Sequence, residues 1–219
     1  MKRYGYLFAD VVSFENLLSA FKQAFQGVGK KYYSLKYWAN LESNLFKLQE
    51  ELKKGSYQPG DYRYFKIYKP KEREIAVADF RDRIVHHGIV NILEPIYERI
   101  FIYNSYATRK NKGTHKAVKK AQQYLQDNFW YFKTDIKKYF DSIDHQLLIS
   151  ILNRKIKNQQ LLDLMTKIIF NGGEQGKGLP IGNLTSQFLA NIYLDQLDHY
   201  LKDKLGVKII FGIWMILLS

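Results

Sequence analysis

Between Tyr62 and Phe80 the hydrophobic period of this chain changes from that of a helix to that of a strand, and then changes back. A helix buries every third or fourth residue and a strand every second, so one segment cannot satisfy both patterns. YRYFKIYK (62–69) and EIAVADF (74–80) alternate, and the turn around Lys71 and Glu72 joins them as a hairpin. On either side the spacing is helical. Residues 13–26 carry Phe14, Leu17, Leu18, Phe21 and Phe25 on one face, with Ser13 as cap and Gly27 as stop. Leu41, Leu45, Leu48 and Leu52 predict one helix over about 34–53. The run 80–101 is helical and bent or interrupted at Pro95, and 113–126 is a helix with a basic exposed side. FWYFKTDI (129–136) is a short aromatic strand, 144–156 and 159–170 are helices, and a glycine-rich loop leads into a last helix over 184–205 closed by Gly206. The predicted class is α+β, helix-rich with a small antiparallel sheet.

Charge narrows the function. The chain has 219 residues and a net charge of +13, which points to an anionic partner, nucleic acid or an anionic membrane surface. With no cysteine, thiolate chemistry and disulfides are excluded, which fits a cytoplasmic location. The N-terminus meets Asp10 before a signal-peptide core forms, and the apolar tail KIIFGIWMILLS is shorter than the ~20 residues of a membrane span, so no membrane association is expected.

Three constellations could carry chemistry, and each has a plainer alternative. Asp135 ends an apolar strand, where a carboxylate is both rigidly held and accessible, as a Mg²⁺ ligand needs to be; it could equally cap a turn. GLPIGNLTSQ (178–187) has glycines that admit close backbone approach and a helix start that favours anions, or is simply a flexible helix entry. KPKEREI and DFRDR could clamp phosphates from the hairpin, or form a solvated charged face. His86 and His87 are neighbours on a helix and face different ways, against a paired metal site.

In this order and spacing the chain resembles a prokaryotic reverse transcriptase from about Tyr62 to Lys208. KPKEREIAVADFRDRIVHH resembles the fingers motifs, FKTDIKKYFDSIDH carries the D-x-x-x-x-F signature, and GLPIGNLTSQFLANIYLDQLDH resembles the loop and helix that contact template and nucleotide. The IGNLTSQ form, through Ile181 and Gln187, is similar to diversity-generating retroelements; group II intron and retron enzymes usually carry a QG…SP form. The resemblance implies a right-hand polymerase with an N-terminal helical segment (1–60), fingers (61–128), a partial palm (129–208) and no thumb. It implies two-metal nucleotidyl transfer with Mg²⁺ or Mn²⁺. Asp135 and the Ile136 backbone would seat the metals. Lys69 and Arg73 would neutralise the triphosphate, Phe140 would exclude a 2′-hydroxyl, and Gln187 would meet the nucleotide or template base. Arg83, Lys112, Gly182, Asn183 and Ser186 would contact template or primer. The implied partners are an RNA template, a DNA primer, deoxynucleotides and an accessory RNA-binding protein. A non-catalytic basic nucleic-acid-binding protein and a group II intron maturase-like enzyme are the alternatives.

The family also carries a strand–turn–strand with two adjacent aspartates, and this chain has no adjacent Asp pair. In its place stands IIFGIWMILLS. Trp214 is encoded only by TGG and Met215 only by ATG, and Ile216 begins AT. One base earlier, the same DNA reads Met or Leu followed by two aspartates. Phe211, Gly212 and Ile213 permit arginine and tyrosine before them, and Leu217 permits phenylalanine after, giving RYMDDF. The expectation is that a base lost near codon 208 makes 209–219 an out-of-frame tail and the chain inactive; a divergent apolar strand is the rival.

Overall fold

The computed structural model describes residues 3–69, 72–127, 132–207, 210–212 and 215–218. The predicted turn at Lys71, the start of the aromatic strand at 129–131 and the codon-208 junction lie outside them. The chain opens with four helices, α1 (Leu7–Val11), α2 (Phe14–Val28), α3 (Tyr32–Ala39) and α4 (Leu41–Lys53). A hairpin β1 (Arg63–Ile67) and β2 (Arg73–Val77) follows, then α5 (Phe80–Tyr97) and α6 (Thr114–Asp127). The remainder is β3 (Phe132–Asp135), α7 (Tyr139–Ser142), α8 (His145–Asn153), α9 (Gln159–Phe170), α10 (Leu184–His199) with a π-helical turn to Lys204, and strands β4 (Ile210–Gly212) and β5 (Met215–Leu218). This is the predicted α+β class.

Ser13 caps α2 as expected, its hydroxyl accepting from the Asn16 amide. Gly27 does not stop the helix. α2 runs to Val28 and closes at Gly29, whose positive φ of 69° glycine adopts without steric cost. The expected single helix over 34–53 is two, because Asn40 leaves helical dihedrals (φ −125°, ψ 40°) while the apolar spacing Tyr33, Tyr37, Leu41, Leu45 continues in phase across it. Pro95 does not interrupt α5: it lies in the last turn, where its missing N–H forfeits one bond near the helix end.

One hydrophobic core runs from Phe8 to Leu201 and joins the N-terminal helices to α5 and to α8–α10. α5 is its axis, packing on α2 and α10. Asn16 reaches the Gly88 carbonyl at 2.9 Å and the Val11 carbonyl at 2.9 Å, tying α2 to α5. The extreme N-terminus is bound to the other half, since Tyr4 exchanges backbone hydrogen bonds with Lys155 and Lys157. β1 and β2 pair antiparallel, and β5 lies between β3 and β4 in a second antiparallel sheet. No helix among the described residues is long and apolar enough to cross a membrane.

Candidate nucleotide and nucleic-acid site

Asp135 closes β3 with an exposed side chain. The backbone then turns tightly: Lys138 adopts φ 50°, ψ 46°, a left-handed conformation that L-residues other than glycine, asparagine and aspartate avoid. That turn starts α7, where the buried Tyr139 anchors its hydroxyl on the Ala190 carbonyl at 2.6 Å and Phe140 follows half-buried. Nothing in the sequence flagged Lys138.

The glycine-rich loop is held on two sides. Toward α7, the Gly178 amide donates to Ile143 O (2.8 Å) and the Leu179 amide to Phe140 O (3.0 Å). The His145 amide donates to Gly176 O, and its Nε2 lies 2.7 Å from Gly178 O; a carbonyl only accepts, so that nitrogen carries the hydrogen. Toward the hairpin, the Ala76 amide donates to Ile181 O (2.7 Å) and Asn183 Nδ2 to Ala76 O (3.2 Å). Gly182 sits at φ 116° so close to β2 that a Cβ would lie 2.7 Å from Ile75 Cγ2 and 2.8 Å from Ala76 O. The three constellations predicted separately are therefore one backbone assembly: β2 with Arg73, the loop, and the turn that carries Phe140 next to Asp135.

Within it the predicted residues fare differently. Lys69 and Arg73 are exposed, Phe140 and Gln187 half-buried, and Gly182 backbone is accessible. Asn183 and Ser186 are 4% and 3% exposed, so their side chains do not present a surface to template or primer. Asn183 is instead a strut between the loop and β2. Arg83 is half-buried with Nε on the Ala78 carbonyl at 3.0 Å. The Lys112 ammonium is committed to the Tyr103 carbonyl at 2.8 Å and to the Tyr103 and Tyr106 ring faces, 3.7 and 4.8 Å from their centroids. Burial lowers its pKa first, with Arg109 acting in the same direction.

The residues present do not fit a pair of divalent ions. Among the described residues no group of three metal-ligating side chains converges. The strand beside Asp135 offers Met215 at the directly opposed position. Asp135 and the Ile136 carbonyl alone leave such ions short of carboxylates.

Residues 53–214 match the family described as reverse transcriptase (RNA-dependent DNA polymerase). The chain is 33% identical over 169 residues to the group II intron-encoded protein LtrA of Lactococcus lactis subsp. cremoris, covering 73% of this chain and 28% of that protein. It is 31% identical over 182 residues to Protein YkfC of Escherichia coli (strain K12), covering 76% of this chain and 47% of that protein. A putative COX1/OXI3 intron 2 protein of Saccharomyces cerevisiae is 33% identical over 172 residues, 74% of this chain and 20% of its own length. The chain thus spans less than half the length of each of these relatives. Among solved structures, a chain of a partial Cas6-RT-Cas1–Cas2 complex superposes with a TM-score of 0.58 at 21% identity, over 97% of this chain and 38% of that one.

Proposed function

The chain belongs to the reverse transcriptase family, and from that premise we propose that it derives from an RNA-directed DNA polymerase whose catalytic strand–turn–strand is here translated out of frame. The single observation that carries this is the register of β5 on β3. Adding one base near codon 208 turns 209–217 into a reading such as NYFRYMDDF, whose two aspartates occupy positions 215 and 216. Position 215 is the direct antiparallel partner of Asp135. Residues directly opposed on antiparallel strands hold their Cβ atoms about 4.5–5.5 Å apart, close enough for two carboxylates to share metal ions about 3.5–4 Å from each other. The codon reading and the Asp135–215 register together support this proposal.

Within that reading residues 1–60 are an N-terminal helical segment, 61–128 the fingers and 129–208 the palm up to its second catalytic strand. Mg²⁺ would supply Lewis-acid stabilisation of a transferring phosphoryl group, and the restored pair is what completes its donor set. Of the chain's own side chains, Arg73 and Lys69 offer positive charge to a triphosphate, and Phe140 offers a ring against a 2′-hydroxyl. Gln187 offers an amide to the nucleotide or template base. RNA template, DNA primer and an accessory RNA-binding protein are the partners of this reading. For the subgroup, Ile181 and Gln187 support a diversity-generating type, whereas the intron-encoded relatives support the group II side. As it stands, with one of three carboxylates, the chain is a basic nucleic-acid-binding protein without polymerase activity, a second reading favoured by its net charge of +13.

Sequencing the locus around codons 205–225 is the first test: the frame one base back must read through the aspartate pair and onward without a stop. The frame-restored protein should then extend a DNA primer on an RNA template, and Asp135→Asn should abolish it. A stop in that frame, or a restored protein that folds, binds primer-template and never extends it, sinks the proposal.

A further inference from the structure

Among the described residues, four other than glycine hold a positive φ: Thr108, Asn111, Lys138 and Gln175. Of these, Lys138 alone stands between two residues of the candidate site, three after Asp135 and two before Phe140. An L-residue fits the left-handed region only in a small well, roughly φ 50–70° and ψ 30–60°. Lys138 lies inside it at φ 50° and ψ 46°. Its side chain is exposed, so burial does not explain a lysine here, and glycine would take the same dihedrals at no steric cost.

The turn is held from both sides. Before it, β3 ends at Asp135 in register with β5. After it, the hydroxyl of Tyr139, a residue 8% exposed, donates to the Ala190 carbonyl of α10 at 2.6 Å. The Phe140 carbonyl accepts from the Leu179 amide at 3.0 Å, and the Lys138 carbonyl accepts from the Ser142 amide at 3.0 Å. The Ser142 hydroxyl donates to the Tyr139 carbonyl at 2.8 Å. The Phe140 ring is half-buried, packed on the core and on Tyr139 with ring centroids 5.8 Å apart. Strand and helix are thus joined by Ile136, Lys137 and Lys138 alone, and the residue that carries the reversal has a β-carbon. What the β-carbon contributes is stiffness. The left-handed well is narrow for an L-residue and broad for glycine, so lysine destabilises the turn and at the same time restricts its angle.

We propose that Lys138 is a positioning residue: the left-handed turn at its Cα fixes the Phe140 ring relative to Asp135 and thereby sets how strictly the site rejects a ribonucleotide. Lys138 acts through Phe140 rather than on the substrate. A steric gate discriminates by distance, and a misplacement of about 1 Å in a reacting site can be worth about a hundredfold. The gating rests on the polymerase reading of Phe140 given above; the strained turn does not.

Lys138→Gly and Lys138→Ala separate strain from stiffness in the chain as it exists. In urea, the folded-to-unfolded ratio of Lys138→Gly should exceed that of Lys138→Ala at least about threefold, since only alanine keeps the β-carbon clash. The Leu179 and Ser142 amides report on the Phe140 and Lys138 carbonyls, and they should nevertheless exchange at least about threefold faster in Lys138→Gly than in Lys138→Ala. A residue that only stabilised the fold would move both readouts the same way. A ratio no higher for glycine than for alanine overturns the proposal, as does exchange no faster, or a Lys138→Gly chain that fails to fold. In the frame-restored protein, Lys138→Gly should lower the kcat/KM preference for deoxynucleotide over ribonucleotide about tenfold or more, and Lys138→Ala by less than about threefold. An unchanged preference in Lys138→Gly, with the restored parent extending primer, overturns the positioning role. A restored parent that folds yet extends no primer overturns the polymerase reading and the gate with it, an outcome visible without any Lys138 variant.

Discussion

At Gly182 a single hydrogen does structural work, because the loop backbone touches β2 at a φ of 116°. Gly182→Ala must both strain the backbone and push Ile75 and Ala76 away. We expect a loss of about 1–3 kcal/mol in urea unfolding, with faster amide exchange at Ala76, whose N–H donates to Ile181 O. Asp135 behaves in the opposite way. It is exposed, so Asp135→Asn in the present chain should leave stability unchanged, within about 0.5 kcal/mol. In the frame-restored protein the same change should lower primer extension by about a thousandfold or more, because losing a metal ligand removes several kcal/mol of transition-state stabilisation. The sequence pointed to Asp135 and Phe140 because their spacing is itself the signal. It gave no sign that the Asn183 and Ser186 side chains are buried, because only packing distinguishes a buried residue from an exposed one at a helix start.

At the scale of elements, the segment linking the N-terminal helices to the hairpin is anchored on a buried carboxylate of α5. Asp82 in the first turn of α5 accepts from the Tyr57 hydroxyl at 2.7 Å and from the Gly60 amide at 2.8 Å, and Asn171 at the end of α9 donates to the Gly60 carbonyl. Tyr57→Phe removes one of the two donors to this buried carboxylate and is expected to cost about 1–3 kcal/mol by urea unfolding. Further along α5, burial holds His86 down at about 3, with His87 and Arg83 adding to the effect, so it is neutral in the folded state. The unfolded chain takes up that proton below about pH 6.5, so stability from this residue is lost as pH falls from 6.5 toward 3. Asp195 and Asp198 on α10, which burial pushes up to about 6 and about 7, work in the other direction over about pH 4–7. His86→Leu should expose this: the variant should gain stability on acidification where the parent gains less or loses. Helix starts, the hairpin and α10 were legible from Ser13, the alternation at 62–69 and the leucine spacing. The break at Asn40 was not, because periodicity is continuous across it.

For the whole molecule, the net charge of +13 and the exposed aromatics Tyr64, Phe65, Tyr68 and Tyr103 define a chain that should bind RNA strongly and with steep salt dependence. The expected slope is about −0.7 in log K per log unit of salt for each single-strand phosphate neutralised. A slope near zero in a filter-binding titration would contradict it. The same chain, purified as written, should give no primer extension with Mg²⁺ or Mn²⁺. Template-dependent synthesis would show that Asp135 finds its metal partners without the aspartate pair.

The sequence by itself pointed to the α+β class and the family, and singled out Asp135 and the proposed out-of-frame reading of the tail, because spacing and codon arithmetic are local along the chain. Only the tertiary structure decided that loop, hairpin and Phe140 turn are one assembly, that Asp135 pairs in register with position 215, and that Asp195 and Asp198 on α10 are buried with an Oδ1 each lacking a hydrogen bond. These are properties of residues far apart in sequence, and burial and pairing exist only once the chain has closed on itself.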